Sequence, residues 1–326
     1  MKLVYTEGLE WQKPVVTEQR AYELLRGFPL PHNVTYVAAP WATLLDTLEF
    51  GSSETAAKAQ AYLDSVKNLR VTDGFTVCQH EKFHRFLPLF KEVGIRVLFA
   101  SHMVNGSGYT TQGHYVKKLK YPYHLRDIRI ENIFLHPVEV GEPSSNKDIF
   151  YSFVGSRGER HISSIRDQIF SSEHPAGAVI IEREGWHFDL EVYHEQILNN
   201  PVSSVKKYIN HEKSIFYRDI LSRSRFSLCP SGTGPTSIRF LESLGSGAIP
   251  VIFSDNMMLP DFLGINWKEC SVKVLEKDYD KLVAILQAIS TEEERQLRRK
   301  GLEAYANCSG ENFVNNIRDH YDKSSP

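Results

Sequence analysis

The stretch FSLCPSGTGPTSIRFLESLGSGAIPVIFSD, residues 226 to 255, sets Arg239 and Glu242 three positions apart on a segment that follows a glycine-rich loop. Gly232 and Gly234 let backbone approach a ligand, and Thr236 or Ser237 is placed to cap the helix that starts there. A helix N-terminus with unpaired N–H groups attracts anions, and a guanidinium in its first turn adds a fork of donors that suits a diphosphate. A carboxylate one turn further can accept two hydroxyls of a ribose. Together the two charges fit a nucleoside diphosphate, whereas an isolated Arg–Glu pair at this spacing is a surface contact of about 0.2–0.5 kcal/mol. The loop is neither a Walker A loop nor a GxGxxG fingerprint.

A second set of chemical groups lies upstream. VTDGFTVCQHEKFH carries Asp73 before a strand and His80 and Glu81 just after it, three candidates for taking a proton from a hydroxyl nucleophile. ASHMVNGSGY, 100 to 109, follows the next strand and offers His102 and Tyr109 to a substrate. VIIEREGW, 179 to 186, is another strand end, with Glu182 exposed beyond it. The 13 histidines show no HExxH spacing, and the four cysteines, Cys78, Cys229, Cys270 and Cys308, form no CxxC pair, so the expected metal set is none.

These groups need elements to hold them. Short runs rich in β-branched and aromatic residues alternate with amphipathic stretches, the pattern of βα units and parallel sheets. KLVYT, NVTYVAA, FTVCQ, IRVLFA and NIFLH (132 to 136) predict a first sheet; IFYSFVG, GAVIIE, RFSLC, AIPVIF and SVKVL predict a second. Thr17 is the expected N-cap of the first helix, and Thr291 with Glu294 the capping box of the last. The polar segment EVGEPSSNKD, 139 to 148, reads as a linker. The expected division is 1–145, 146–305 and a tail at 306–326: two Rossmann-like, doubly wound domains across a cleft, with ligands at the carboxyl ends of the strands and the terminal helix packing back toward the first domain.

With 326 residues, 24% charged and a net charge of −2, the chain has no global field toward nucleic acid or anionic membranes. HYVKKLKYPYHLR is one short basic and aromatic strip on an acidic chain, weak support for RNA. No run approaches the roughly 20 apolar residues of a membrane span. A soluble, cytoplasmic protein without a signal peptide is expected.

RFSLCPSGTGPTSIRFLESLGSGAIPVIFSD resembles the C-terminal signature of the exostosin-like glycosyltransferases, F-x-L-x-P-x-G…S-x-R-F-x-E-A-L-x-x-G-x-I-P-V-I-x-S-D. FYSFVGSRGERHISSIRDQI is similar to that family's F-x-G-x-R-G…R element, and LPDFLGINWKECSVKV to its continuation. The resemblance covers 150 to 290. It implies a GT-B fold, with the nucleotide sugar on the second domain and the acceptor on the first, and an inverting, metal-independent transfer from a UDP-sugar to a carbohydrate hydroxyl, with no cofactor. It places Gly155, Ser156 and Arg157 at the diphosphate, Pro230, Ser231, Gly232, Thr233, Gly234 and Ser237 around the phosphates or donor sugar, and Glu182 near the nucleobase. The family usually has a larger or basic residue where Ser231 stands. The competing readings are a GDP-sugar transferase or epimerase of the same fold, and a non-catalytic sugar-nucleotide or glycan binder.

Overall fold

The computed structural model describes residues 2–13, 16–29, 33–102, 127–129, 140–185, 188–255, 257–259 and 264–322. Among them, ten strands make two five-stranded parallel sheets. The first holds β1 (Lys2–Tyr5), β2 (Thr35–Ala38), β3 (Gly74–Cys78), β4 (Ile95–Ala100) and β5 (Asp127–Arg129), neighbours in chain order. The expected strand at 132 to 136 lies outside the described residues; β5 pairs with β4 through Val97 and Asp127.

Side chains alternate across a strand, and each face of this sheet meets helices. Tyr36, Ala38, Phe75, Val77, Val97 and Phe99 share a core with α1 (Thr17–Leu25) and with Phe313, Val314, Ile317 and Tyr321 of the last helix, α10 (Gly310–Asp322). The terminal helix thus packs back on the first sheet. The opposite face carries α2 (Trp41–Phe50), α3 (Ser53–Lys67) and α4 (Leu87–Val93). No amphipathic period marks α2, because Trp41 to Thr47 are all buried, with the polar Thr43, Asp46 and Thr47 among them, and a helix buried on every side carries no one-sided apolar stripe. Gly94 ends α4 at φ +95°, where a Cβ would come within 1.9 Å of the Val71 carbonyl oxygen, so no other residue fits.

Two expected caps shift. Val16, not Thr17, is the N-cap of α1, and no side chain caps it because Thr17 is already the buried first residue of the helix. The capping box sits one residue earlier than expected, with Ser290 Oγ accepting from Glu293 N–H at 3.2 Å and Glu293 Oε2 accepting from Ser290 N–H at 2.8 Å. Glu294 instead turns inward to Arg225 (2.7 Å) and Arg298 (2.6 Å).

The second sheet comprises β6 (Ile149–Ser156), β7 (Val179–Arg183), β8 (Ser224–Cys229), β9 (Ile249–Ile252) and β10 (Val272–Lys273), in the order β10-β9-β8-β6-β7. Tyr151, Phe153, Phe226, Leu228, Ile249 and Val251 bury one face against α5 (Ile165–Ser171) and α8 (Leu282–Gln287). The other face meets α6 (Ser204–Arg223), α7 (Arg239–Gly245) and α9 (Thr291–Asn307). Strand order reverses at β6, which opens a crevice between the carboxyl ends of β6 and β8.

The two sheet units are joined by a wide helical turn at Leu190–Ile197. Gln196 Oε1 accepts the Lys13 N–H at 3.0 Å and Gln196 Nε2 donates to the Trp11 carbonyl at 2.6 Å, while Tyr193 meets Phe50 edge-on at 5.6 Å. All four cysteines are free thiols. No described helix is long and apolar enough to cross a membrane.

Candidate functional site

At the β6/β8 crevice, β8 ends at Cys229 and the chain enters the glycine-rich loop behind the buried Pro230. Gly232 N–H donates to the Gly234 carbonyl at 3.0 Å, and the Gly232 carbonyl accepts the Ile162 N–H at 2.9 Å. Ser231 is buried; its hydroxyl pairs with that of Ser163 at 3.1 Å, and Ser163 Oγ donates to Glu276 Oε1 at 2.9 Å. Thr233 is exposed at the loop's tip. Neither Thr236 nor Ser237 caps α7, which has seven residues and starts at Arg239 with no side-chain cap. Ser237 contributes its carbonyl to the Phe240 N–H at 3.0 Å, and Thr236 Oγ1 is buried without a partner. The positive group here is therefore a side chain rather than a helix end.

That side chain is Arg239. Its guanidinium lies over the Phe153 ring at 4.6 Å from the centroid. Nε donates to the Tyr217 hydroxyl at 3.3 Å, Nη2 donates to the Val154 carbonyl, and Nη1 is shielded from water with no partner. Glu242 does not stand free for a ribose, since its Oε2 accepts the Tyr217 hydroxyl at 2.6 Å. Burial raises the Glu242 pKa, and the bond from Tyr217 with the charges of Arg239 and Arg183 works against that rise. Tyr217 thus orients both charges of the sequence motif.

A second guanidinium shares the same ring. Arg166 lies 5.6 Å from the Phe153 centroid, with Nε donating to the Ser231 carbonyl at 2.8 Å and Nη1 to the Ser156 carbonyl at 3.2 Å. Burial, and then the neighbouring Arg239, lower its pKa to about 9. Two mutually repelling cations around one aromatic ring, one with an orphaned N–H group, make a site that gains from an anion.

Arg157, expected at the diphosphate, points elsewhere. Its Nε donates to Glu182 Oε1 at 2.9 Å and its Nη1 to Asp167 Oδ1 at 3.4 Å, while the guanidinium covers Phe170 at 5.3 Å. An exposed carboxylate pair outcompetes the crevice for this side chain. The same contact draws Glu182 to Arg157. Gly155 is needed because its Cβ would come within 2.9 Å of the Phe153 ring, and Ser156 is buried, offering its carbonyl to Arg166.

Across from this loop, the carboxyl end of β3 carries a buried polar network. His80 Nε2 lies 3.1 Å from Asp46 Oδ1, and its Nδ1 accepts the Lys82 N–H at 2.9 Å. Gln12 Nε2 donates to Asp46 Oδ2 at 2.7 Å and Gln79 Nε2 to Gln12 Oε1 at 3.1 Å. Glu18, 2% exposed, accepts the Gln79 N–H at 2.9 Å and the Ala42 N–H at 3.2 Å. Burial raises the Glu18 pKa to about 8 against those two donors. For His80, burial acts downward, but the carboxylates of Glu81, Asp46 and Glu18 raise it to about 9.

The three base candidates separate here. His80 is buried with both ring nitrogens engaged, which removes it from contact with a substrate. Asp73 precedes β3, at the amino edge of the sheet, and the five-residue strand sets it roughly 16 Å from the carboxyl edge. Parallel strands present only their carboxyl ends to the crevice, so Asp73 faces the wrong way. Glu81 keeps 21% of its side chain exposed, with Oε2 3.4 Å from His80 Nδ1.

His102 sits beneath the glycine loop, not in a separate acceptor site: a Cβ on Gly234 would come within 2.4 Å of its Nδ1. That Nδ1 is buried without a partner, and burial lowers the His102 pKa to about 4, with Glu81 and His80 close enough to act on it. Tyr109 lies outside the described residues. Among the described residues, no three His, Cys, Asp or Glu side chains group as a metal site would need.

Sequence reasoning missed Arg166, Tyr217, Asp46 and Glu18. The signal for Arg166 was present as the closing arginine of the R-G…R element. Tyr217 and Asp46 lie within helices and carried no local mark of their role.

The family described as the exostosin GT47 domain matches residues 103–289 of this chain, more than half of it. A probable beta-1,4-xylosyltransferase of Arabidopsis thaliana is 39% identical over 98 residues, 30% of this chain and 23% of that protein. A probable glucuronosyltransferase of Oryza sativa subsp. japonica is 40% identical over 98 residues, 30% of this chain and 22% of that protein. An exostosin-1 homolog of Caenorhabditis elegans is 26% identical over 180 residues, 52% of this chain and 45% of that protein. The chain thus spans less than half the length of these relatives in each match. Among solved structures, the pneumococcal O-GlcNAc transferase GtfA, in complex with UDP and GlcNAc, matches 82% of this chain and 59% of that one at 10% identity and a TM-score of 0.39.

Proposed function

The chain belongs to the exostosin GT47 family, and from that premise we propose that it is an inverting glycosyltransferase that moves a sugar from a UDP-sugar to a hydroxyl of a glycan without a metal. The observation that carries this reading is the shielded, partnerless Nη1 of Arg239 in the β6/β8 crevice, with Arg166 on the same ring. A buried N–H group without a partner is costly, and a phosphate oxygen is the acceptor that satisfies it best.

In the reaction, an acceptor hydroxyl gives its proton to the Glu81 carboxylate as its oxygen attacks the anomeric carbon. The bond from that carbon to the diphosphate oxygen breaks, and the electron pair leaves with UDP. Arg239 and Arg166 hold the charge gathering on the departing diphosphate, the role a divalent ion fills elsewhere. His80, fixed by Asp46 and the Lys82 N–H, lies 3.4 Å from Glu81 at the carboxyl edge of β3. His102 lies between Glu81 and the glycine loop, near enough to Glu81 to feel its charge.

The test is a panel of UDP- and GDP-sugars assayed for slow hydrolysis and for transfer to glycan acceptors, in buffer with and without excess EDTA. Release of UDP from at least one UDP-sugar, unchanged by EDTA, is expected. Release from GDP-sugars only, release only with added manganese, or none at all overturns the proposal.

A further inference from the structure

A carboxylate that no sequence motif marked lies two hydrogen bonds away from the glycine loop. Glu276 opens the short turn Glu276–Lys281 after β10, half-buried, with its backbone N–H donating to Asp255 Oδ1 at 2.9 Å. Burial raises its pKa, the bond from Ser163 works against that rise, and the charge of Asp255 adds to it. Among the described residues no cation pairs with Glu276, so a serine hydroxyl rather than a salt bridge meets this charge.

That hydroxyl gives the next bond its direction. Ser163 has a single hydroxyl hydrogen, which goes to Glu276 Oε1 at 2.9 Å, so in its 3.1 Å contact with Ser231 the hydrogen comes from Ser231. Two serines alone can order their hydrogens either way; a carboxylate, which only accepts, leaves one order. Ser231 is 1% exposed, and its side chain is fixed from this side. From the other, its carbonyl accepts Arg166 Nε–H at 2.8 Å, while the Gly232 carbonyl accepts the Ile162 N–H at 2.9 Å. The segment 162–166 thus grips the loop through Ile162, Ser163 and Arg166, and the residue that orders this grip comes from the far end of the sheet unit, 113 positions along the chain from Ser163.

We propose, resting on the reading of the β6/β8 crevice as a diphosphate site, that Glu276 is a positioning residue for it: by taking the Ser163 hydrogen it fixes Ser231, and with Ser231 the carbonyl on which Arg166 rests. A guanidinium meets a diphosphate as a fork, so its plane must be set as well as its place. For Arg166 the Phe153 ring at 5.6 Å, the Ser156 carbonyl at 3.2 Å and the Ser231 carbonyl do this. The last of these depends on Glu276.

The experiment is calorimetric titration of the full chain with UDP, in the parent and in Glu276→Ala, Ser163→Ala, Glu276→Gln and Arg166→Ala variants, with the first two also made on the Arg166→Ala background. Glu276→Ala and Ser163→Ala should each weaken UDP binding about tenfold. Glu276→Gln, which keeps an oxygen able to accept from Ser163, should bind within about twofold of the parent. On the Arg166→Ala background either change should cost less than about twofold, because the residues act on one contact. A carboxylate that served the fold alone would cost the same factor with Arg166 or without it. Ser163→Ala removes only a hydroxyl and carries the test by itself where Glu276→Ala fails to fold. Parent-like affinity in Ser163→Ala or in a folded Glu276→Ala, or an equal loss on the Arg166→Ala background, overturns the proposal and leaves the diphosphate reading in place. A parent that binds no UDP overturns both.

Discussion

Tyr217 donates its hydroxyl hydrogen to Glu242 at 2.6 Å, and the same oxygen receives Nε–H of Arg239 at 3.3 Å. One phenol from α6 thereby locks the carboxylate and the guanidinium of α7 in fixed relation. Tyr217→Phe removes both contacts and leaves Glu242 buried without its donor. Stability to urea should fall by about 1–3 kcal/mol, and UDP affinity should fall with it because Arg239 loses its orientation. Denaturation midpoints and calorimetric titration of the same variant read the two effects.

Arg239→Ala should weaken UDP binding by about 1.5 kcal/mol or more, slightly over tenfold, as a charge-assisted contact is lost. Arg166→Ala should weaken it by a similar factor, whereas Arg157→Ala, whose side chain is held by Glu182 and Asp167, should change it less than twofold. Equal losses for Arg157 and Arg166 in isothermal titration would return Arg157 to the crevice and remove the basis for preferring Arg166.

Glu81→Gln should cut the transfer rate by about 10²–10⁴ while leaving UDP affinity unchanged, the signature of a lost general base. Asp73→Asn, altered at the far edge of β3, should keep near-parental turnover. Single-turnover assays with saturating donor separate the two; a dead Asp73→Asn variant with intact folding would reverse the assignment.

Gly234→Ala places a methyl within 2.4 Å of His102 Nδ1, so the glycine loop or the imidazole must shift. The melting temperature should drop. His102→Ala in the same chain restores the space and should recover it. Thermal unfolding of the single and double variants checks the contact.

Burial raises Glu18 from the usual carboxylate range to about 8, so the folded protein holds this proton more tightly than the unfolded chain does. The stability it contributes is complete below pH about 4.5 and is lost as pH rises through about 8. Glu18→Gln should flatten the fall in melting temperature between pH 5 and 9, measured by calorimetry against the parent.

Much of this architecture is legible along the chain. Runs such as IRVLFA and RFSLC alternate with helical periods, and local period is enough to name strands, helices and the existence of two parallel sheets. Where seven consecutive residues of an element are buried, as Trp41 to Thr47 are in α2, the period vanishes and the element goes unread. Caps slip by one residue, as at Ser290, because neighbouring hydroxyls are equivalent until one of them packs.

The sequence by itself determined that Arg239 and Glu242 lie one turn apart behind a glycine loop, since helical spacing is a local property. Only the tertiary structure decided which arginine serves the crevice. Arg157 and Arg166 are both within reach along the chain, and the choice came from what the fold set beside each: two exposed acids for Arg157, and the Phe153 ring with two carbonyls for Arg166. The same holds for Asp73 and Glu81, eight residues apart in the sequence, which a parallel strand sends to opposite edges of one sheet. A side chain's charge is written in its type, whereas the partner that occupies that charge depends on contacts between distant segments.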